Sequence, residues 1–357
     1  MLDDYLRETG ERDWEQPAVD GTVRFAMVGA GWWTREEAIP AVRDSEYCET
    51  TVVADVSKEA VSEVVAAVDG IEQGLTAEEF ADGVAADAYD AVYVCTPNRT
   101  HLDYVSASAE LGKPVLCEKP MEATVDRARQ LADVCTDHGV SLMIAYRMQT
   151  EPLVRRTKEL VAAGVIGDVV QIHSDISATL LDIIPDQDQW RLDPEMAGGC
   201  ALIDLGIYPL NTVRFVLDKT PETVYGTTRR SHEAFADVDE SVWFELQFAG
   251  DTGALCTATH RAHGTSNLRI VGREGVVELR NPYHPWADRG LVVEVGDTRA
   301  RVTTDNVNQM TEEFDYFAHC LLTGTDPFPD GQHGLRDMEI VDSIYRSADV
   351  GEPQSVG

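Results

Sequence analysis

Across the first 146 residues, short continuous apolar runs alternate with segments of helical period. Thr22–Val28, Thr50–Ala54, Ala91–Cys95, Pro114–Cys117 and Ser141–Ala145 are the apolar runs. Each ends at a turn signal, as strands of a parallel sheet covered on both faces do. The spacing predicts helices over 36–43, 61–68, 76–85, 100–111 and 122–139, and this alternation is that of a doubly wound parallel (Rossmann) α/β sheet. After Arg147 the period changes. A helix over 151–163 precedes longer strands with clear alternation, best in 242–248, where Val242, Phe244, Leu246 and Phe248 share one face. Strands at 169–176, 255–259, 268–271, 276–279 and 291–295, with helices near 310–322 and 335–349, predict an α+β domain with a large, mostly antiparallel open sheet. The chain thus reads as an N-terminal arm (1–21) whose one large anchor is Trp14, a dinucleotide-binding domain (22–146), and a substrate-binding and oligomerisation domain (147–357). An open sheet of this size leaves a face to cover, and a second copy of the chain is the expected cover.

Charge narrows the function classes. With 63 acids against 29 bases the net charge is −34 and the pI about 4.4. That excludes non-specific nucleic-acid binding and argues against an anionic membrane surface. The acids are spread along the chain, and only five bases are lysines: Lys58, Lys113, Lys119, Lys158 and Lys219. Such a chain repels itself in dilute buffer, and salt near 1 M shortens the Debye length to about 3 Å; a salt-loaded cytoplasm is expected. The seven cysteines form no C-x-x-C pair, which suits a reducing compartment. No signal peptide is expected at the start of the chain. No run is expected to reach the roughly 20 apolar residues of a membrane span. His173, His260, His263 and His284 show no metal-ligand spacing and read as structural.

Six short stretches carry chemistry. Gly29-Ala30-Gly31-Trp32-Trp33-Thr34 follows the first strand directly: Gly29 permits the turn and Gly31 lets the backbone approach a pyrophosphate at a helix N-terminus, with Thr34 where a third glycine usually stands. Asp55 ends the second strand, where an acid grips the adenosine ribose of NAD, and Ser57 and Lys58 behind it suit a 2′-phosphate instead. From these residues NAD and NADP are both open. Next, Thr96-Pro97-Asn98-Arg99-Thr100-His101 breaks the fourth run, and Glu118-Lys119-Pro120 stops the fifth. A lysine at the end of a parallel strand sits where open α/β sheets bind ligands. Last come Gln189-Trp190-Arg191 and the run Gly199 to Asn211. If that run is helical, Asp204 and Tyr208, four apart, share a face, while Pro209 kinks or restarts the helix.

Gly29-x-Gly31, Thr96-Pro97-Asn98-x-x-His101, Glu118-Lys119-Pro120 and Gly199-x4-Asp204-x-Gly206-x-Tyr208 match, in order and spacing, the glucose–fructose oxidoreductase/inositol dehydrogenase/MocA family. The resemblance spans residues 22–350, and Trp190-Arg191 with Tyr208 and Asn211 makes it similar to the glucose–fructose oxidoreductase-like branch. It implies NADP, with NAD as the alternative, and oxidation of the anomeric C1 hydroxyl of a cyclic sugar, D-xylose, to its lactone. Tyr208 is implied as general base. A phenol titrates near pH 10 in water, so a base at neutral pH needs help; the resemblance gives that role to Lys119, with Asp204 orienting Lys119 or holding a sugar hydroxyl. Asn98, His101 and Glu118 are implied near the nicotinamide half, and Trp190 and Arg191 along the cleft. The alternatives are a dehydrogenase of another sugar or polyol, such as glucose or inositol, an enzyme that retains its cofactor, and a dinucleotide-binding regulator without catalysis.

Overall fold

The computed structural model describes residues 12–302 and 307–356, which divide by contacts into two units. The first comprises Asp13–Arg147 with Asn308–Met338. Its strands β1 (Val23–Val28), β2 (Cys48–Asp55), β3 (Gln73–Thr76), β4 (Ala91–Val94), β5 (Val115–Glu118) and β6 (Leu142–Ala145) form one parallel sheet in the order β3-β2-β1-β4-β5-β6. The order reverses between β1 and β4, so the ends of these two strands flank the switch point where such sheets bind ligands. Strand β3 escapes the hydrophobic pattern because Gln-Gly-Leu-Thr buries only Leu75.

The sequence pattern places everything from residue 147 on in the second domain, whereas Arg147 and Asn308–Met338 pack with the first unit. The helix Gln309–Thr323 sends Phe314 against Phe25 and Tyr93, with ring centroids 5.2 and 5.0 Å apart. Periodicity identifies the apolar face of a helix but not the sheet it covers. The same helix anchors the described part of the arm: Trp14 meets Tyr316 and His319 edge-on at 5.6 and 5.5 Å, and His319 Nε2 donates to the Pro17 carbonyl at 2.9 Å. The arm's residues before 12 lie outside the described residues.

Among the described residues the second unit carries nine strands: β7 (Val169–Thr179), β8 (Thr223–Arg229), β9 (Ser241–Gln247), β10 (Gly253–Thr259), β11 (Arg261–Gly272), β12 (Gly275–Arg280), β13 (Gly290–Val295), β14 (Thr298–Val302) and β15 (Gln354–Ser355). Their order is β14-β13-β12-β11-β7-β10-β9-β8-β15, antiparallel throughout except where β7 and β10 run parallel. Val242, Phe244 and Leu246 face inward as the alternation predicts, under the turn Ala201–Gly206. On the other face Tyr225, Trp243 and Leu255 stand out from β8, β9 and β10, each 36–46% exposed. Among the described residues one stretch, Pro194–Leu217, is long and apolar enough by composition to cross a membrane, yet it contains Asp204 and Arg214 and 83% of its apolar window is buried in the unit. It is a core segment.

Candidate functional site

In the first unit the glycine turn is fixed by close approach. Gly29 has φ +102°, and a Cβ there would lie 2.0 Å from the Cys95 carbonyl oxygen at the end of β4. No side chain fits. At Gly31, by contrast, a Cβ would meet nothing within 4 Å, so the turn has an open side for a ligand's approach. Asp55 staples this turn: its Oδ2 accepts from Ala30 N at 2.7 Å and its Oδ1 from Ser57 N at 2.8 Å. Ser57 Oγ caps the helix Lys58–Ala67 by accepting from Ala60 N at 3.2 Å, and Lys58 is exposed. Arg35, which sequence reasoning passed over, donates to the Ala30 carbonyl at 2.8 Å and the Ala60 carbonyl at 3.1 Å and pairs with Glu63 at 2.8 Å. It ties the turn to that helix. Thr34 is fully buried, where the third glycine is usual. Trp32 is 50% exposed and Trp33 half-buried, with the Arg147 guanidinium 5.9 Å from the Trp33 ring.

At the ends of β4 and β5 the expected residues separate into surface and support. Thr96 and Pro97 are half-buried, and Asn98 is buried. His101, assigned to the cofactor pocket by resemblance, is sealed from solvent: Nε2 lies 2.9 Å from the Thr96 carbonyl and Nδ1 3.3 Å from that of Met121. Burial lowers its pKa. The imidazole braces the loop from behind. Glu118 is buried, accepting from Tyr93 Oη at 2.7 Å and from Lys119 N at 3.0 Å, so strand and turn hold Lys119's backbone while its side chain remains half-buried. Behind Glu118 lies Glu313, fully buried with neither carboxyl oxygen hydrogen-bonded. Burial first, then the Glu118 charge, push its pKa far up, against the opposing pull of Arg147. Glu313 is held as the neutral acid.

In the second unit the run Ala201–Gly206 is a π-helix that passes into the α-helix Ile207–Leu217. Pro209 lies in the first turn after the π segment, and, having no N–H, it cannot donate to the ladder that runs on from the π turns. Wide π turns of this kind recur at functional sites, and this one carries Asp204, with Tyr208 one turn on. A buried anchor holds its start. Asp239 accepts from Cys200 N and Leu202 N at 2.8 Å each and from Tyr345 Oη at 2.9 Å. Tyr345 comes this close because residue 199 is glycine: at φ +144° a Cβ there would lie 2.0 Å from Tyr345 Oη. Neither Asp239 nor Tyr345 has a sequence signal, since they lie 39 and 106 positions from the groups they meet.

Asp204 Oδ2 faces two cations or potential cations. Arg191 Nε is 3.6 Å away, its guanidinium 4.4 Å from the Trp190 ring, and His260 Nε2 is 3.3 Å away. The structure thus brings together Trp190, Arg191 and Asp204, and adds His260. Tyr208 is buried, its ring 5.9 Å from that of Tyr283, while Asn211 Oδ1 accepts from Gln149 Nε2 at 3.0 Å. Lys119 belongs to the first unit and Asp204 and Tyr208 to the second. Among the described residues no group of three or more His, Cys, Asp or Glu side chains is placed to hold a metal ion.

Comparison with known proteins gives a consistent picture. Residues 23–146 match the model of an oxidoreductase family with an NAD-binding Rossmann fold, and residues 154–278 that of the GFO/IDH/MocA C-terminal domain. The chain is 50% identical over 340 residues to D-xylose 1-dehydrogenase [NADP(+)] of Haloarcula marismortui, covering 95% of this chain and 94% of that one. It is 32% identical over 329 residues to D-xylose 1-dehydrogenase (NADP(+)) 2 of Haloferax volcanii, covering 92% and 98%. Among solved structures, the aldose-aldose oxidoreductase of Caulobacter crescentus, complexed with glycerol, superposes with a TM-score of 0.87 at 27% identity over 94% of this chain and 99% of that one.

Proposed function

This chain belongs to the GFO/IDH/MocA family of oxidoreductases, and from that premise we propose that it oxidises the anomeric C1 hydroxyl of D-xylopyranose to xylonolactone with NADP. The observation that carries the substrate and cofactor is the 50% identity, over almost the whole of both chains, to a D-xylose 1-dehydrogenase that uses NADP(+). The open side of the glycine turn at Gly31 supports a dinucleotide there.

Gly29, Gly31, Trp32 and Trp33 hold the pyrophosphate side in this reading, and Ser57 and Lys58 the 2′-phosphate. Asp55, whose two oxygens both accept backbone N–H groups, shapes the turn. Thr96, Pro97, Asn98 and Glu118 line the nicotinamide half, with His101 bracing them, and Trp190 and Arg191 complete the cofactor side. NADP, when bound, supplies the hydride acceptor. Tyr208 takes the proton of the C1 hydroxyl as the C1–H electron pair leaves as hydride. Lys119 holds the same oxygen through the transfer. Asp204, beside Arg191 and His260, holds a sugar hydroxyl or orients Lys119. The protein acts in pentose catabolism of a salt-adapted organism, in the cytoplasm, where its seven cysteines stay reduced.

The test is formation of reduced nicotinamide by the purified protein in molar KCl, with D-xylose, D-glucose or myo-inositol and with NADP or NAD. Many turnovers per subunit with D-xylose and NADP are expected, which also excludes an enzyme that retains its cofactor. A preference for glucose or inositol overturns the substrate. Tight NADP binding without turnover on any of them overturns the enzyme and leaves a dinucleotide-binding regulator.

A further inference from the structure

We propose that His260 is a positioning residue that holds the Asp204 carboxylate through an Nε2–H···Oδ2 contact. The inference rests on the reading of Asp204 as a site residue of a dehydrogenase. His260 stands at the corner between β10 and β11, and its backbone is fixed on both sides: its N donates to the Glu240 carbonyl at 2.9 Å and its carbonyl accepts from Leu180 N at 3.3 Å. The imidazole is 2% exposed and lies nearly parallel to the Phe235 ring, at 21° and 6.4 Å.

In that apolar setting a phenylalanine or leucine would pack without cost, whereas a buried imidazole with neither nitrogen in an aligned hydrogen bond carries a desolvation penalty. Among the described residues its ion-pair partner is Asp204 Oδ2, at 3.3 Å from Nε2. Long or misaligned contacts of this kind tighten when a site fills. The nitrogen facing a carboxylate carries the proton, which fixes the tautomer. Arg191, also beside Asp204, is 25% exposed at its side chain and stacked on Trp190, and so is available to a ligand; His260 is buried, with its backbone bonded on both sides and its ring against Phe235. The π turn sets where Asp204 starts, and His260 sets where its carboxylate ends.

Two substitutions separate holding from packing. His260→Phe keeps the ring and its stacking but removes the donor, whereas His260→Gln keeps a donor near the Nε2 position and loses the ring. A positioning role predicts that His260→Phe lowers kcat about 10- to 100-fold, with the KM for NADP within about twofold. It also predicts that His260→Gln stays within about fivefold of the parent, and that His260→Phe adds nothing further in an Asp204→Asn background. Full activity in His260→Phe, the reverse order of the two variants, or losses that multiply in the double variant would overturn it. The 15N resonances of the imidazole give a readout independent of turnover. An Nε2–H tautomer that redistributes in Asp204→Asn supports the contact, and an unchanged tautomer removes it. Absence of oxidation of any sugar by the parent enzyme overturns the dehydrogenase reading alone, and the tautomer then decides for His260.

Discussion

Glu313 shows how one buried residue is tied to pH. Its carboxyl is sealed in the first unit near Glu118 and Arg147, and burial raises its pKa far above the ordinary carboxylate value. Folded, it keeps its proton; unfolded, it loses it near pH 4.3. Between those two pKa values the folded state binds one more proton, so this group's contribution to stability falls as pH rises, by about 1.4 kcal/mol per pH unit, until the folded pKa is reached. Glu313→Gln is expected to remove that slope and to be more stable than the parent at alkaline pH, measured by denaturant unfolding across pH at constant high salt. A parent and variant with parallel pH profiles would show that Glu313 ionises in the fold. At the same scale, Tyr208→Phe and Lys119→Ala are each expected to lower kcat by about 10²-fold or more while NADP still quenches tryptophan fluorescence. Turnover within a few-fold of the parent would remove that residue from the proposed chemistry.

Among elements, the π turn Ala201–Gly206 is the one whose shape depends most on distant parts of the chain. Gly199→Ala forces a Cβ onto Tyr345 Oη and breaks the contact with Asp239. A cost of about 2–3 kcal/mol is expected, from backbone strain and a lost charge-assisted bond together. Tyr345→Phe, which keeps the shape, is expected to cost about 1–2 kcal/mol. Urea midpoints check both, and equal stability of all three proteins would mean that Asp239 alone anchors the turn. The same element shows what the residue pattern makes legible. The Gly29 turn, the Glu118-Lys119-Pro120 stop and the strands with apolar alternation are local signals, readable because spacing and turn chemistry act over a few residues. Asp239, His260 and Tyr345 reach Asp204's turn from the loop before β9, the corner between β10 and β11 and a late helix, and nothing in their own neighbours marks them. Strands β8 and β14 were hidden for a different reason: Thr-Val-Tyr-Gly-Thr-Thr-Arg and Thr-Arg-Ala-Arg-Val hold too few apolar residues for a period to stand out. Pairing along the sheet makes them strands. The return of Asn308–Met338 to the first unit is likewise a matter of which faces fit.

At the level of the whole molecule, charge and the open sheet act on each other. The outer face of the second sheet presents Tyr225, Trp243 and Leu255 on three neighbouring strands, a surface that a second copy of the chain would cover. Each copy, however, carries a net charge of −34, so bringing two together costs Coulomb energy that grows with the product of their charges. At 0.1 M salt the Debye length is about 10 Å and much of that repulsion survives; at 1 M it is about 3 Å and the repulsion reaches only across direct contacts. Association and stability should therefore rise together with KCl over this range. Light scattering after size exclusion is expected to find the monomer in dilute buffer and the oligomer in molar KCl, with the melting temperature rising over the same interval. Trp243→Glu places a second carboxylate on the strand where Glu245 already stands between Tyr225 and Leu255, and it is expected to stay monomeric at every salt concentration. It should also melt below the parent in molar KCl, where only the parent is assembled. If Trp243→Glu assembles like the parent, copies meet through another surface. If the parent is equally stable and active without salt, its arginine-rich, lysine-poor surface manages the repulsion without screening, and the salt-adapted origin falls with it.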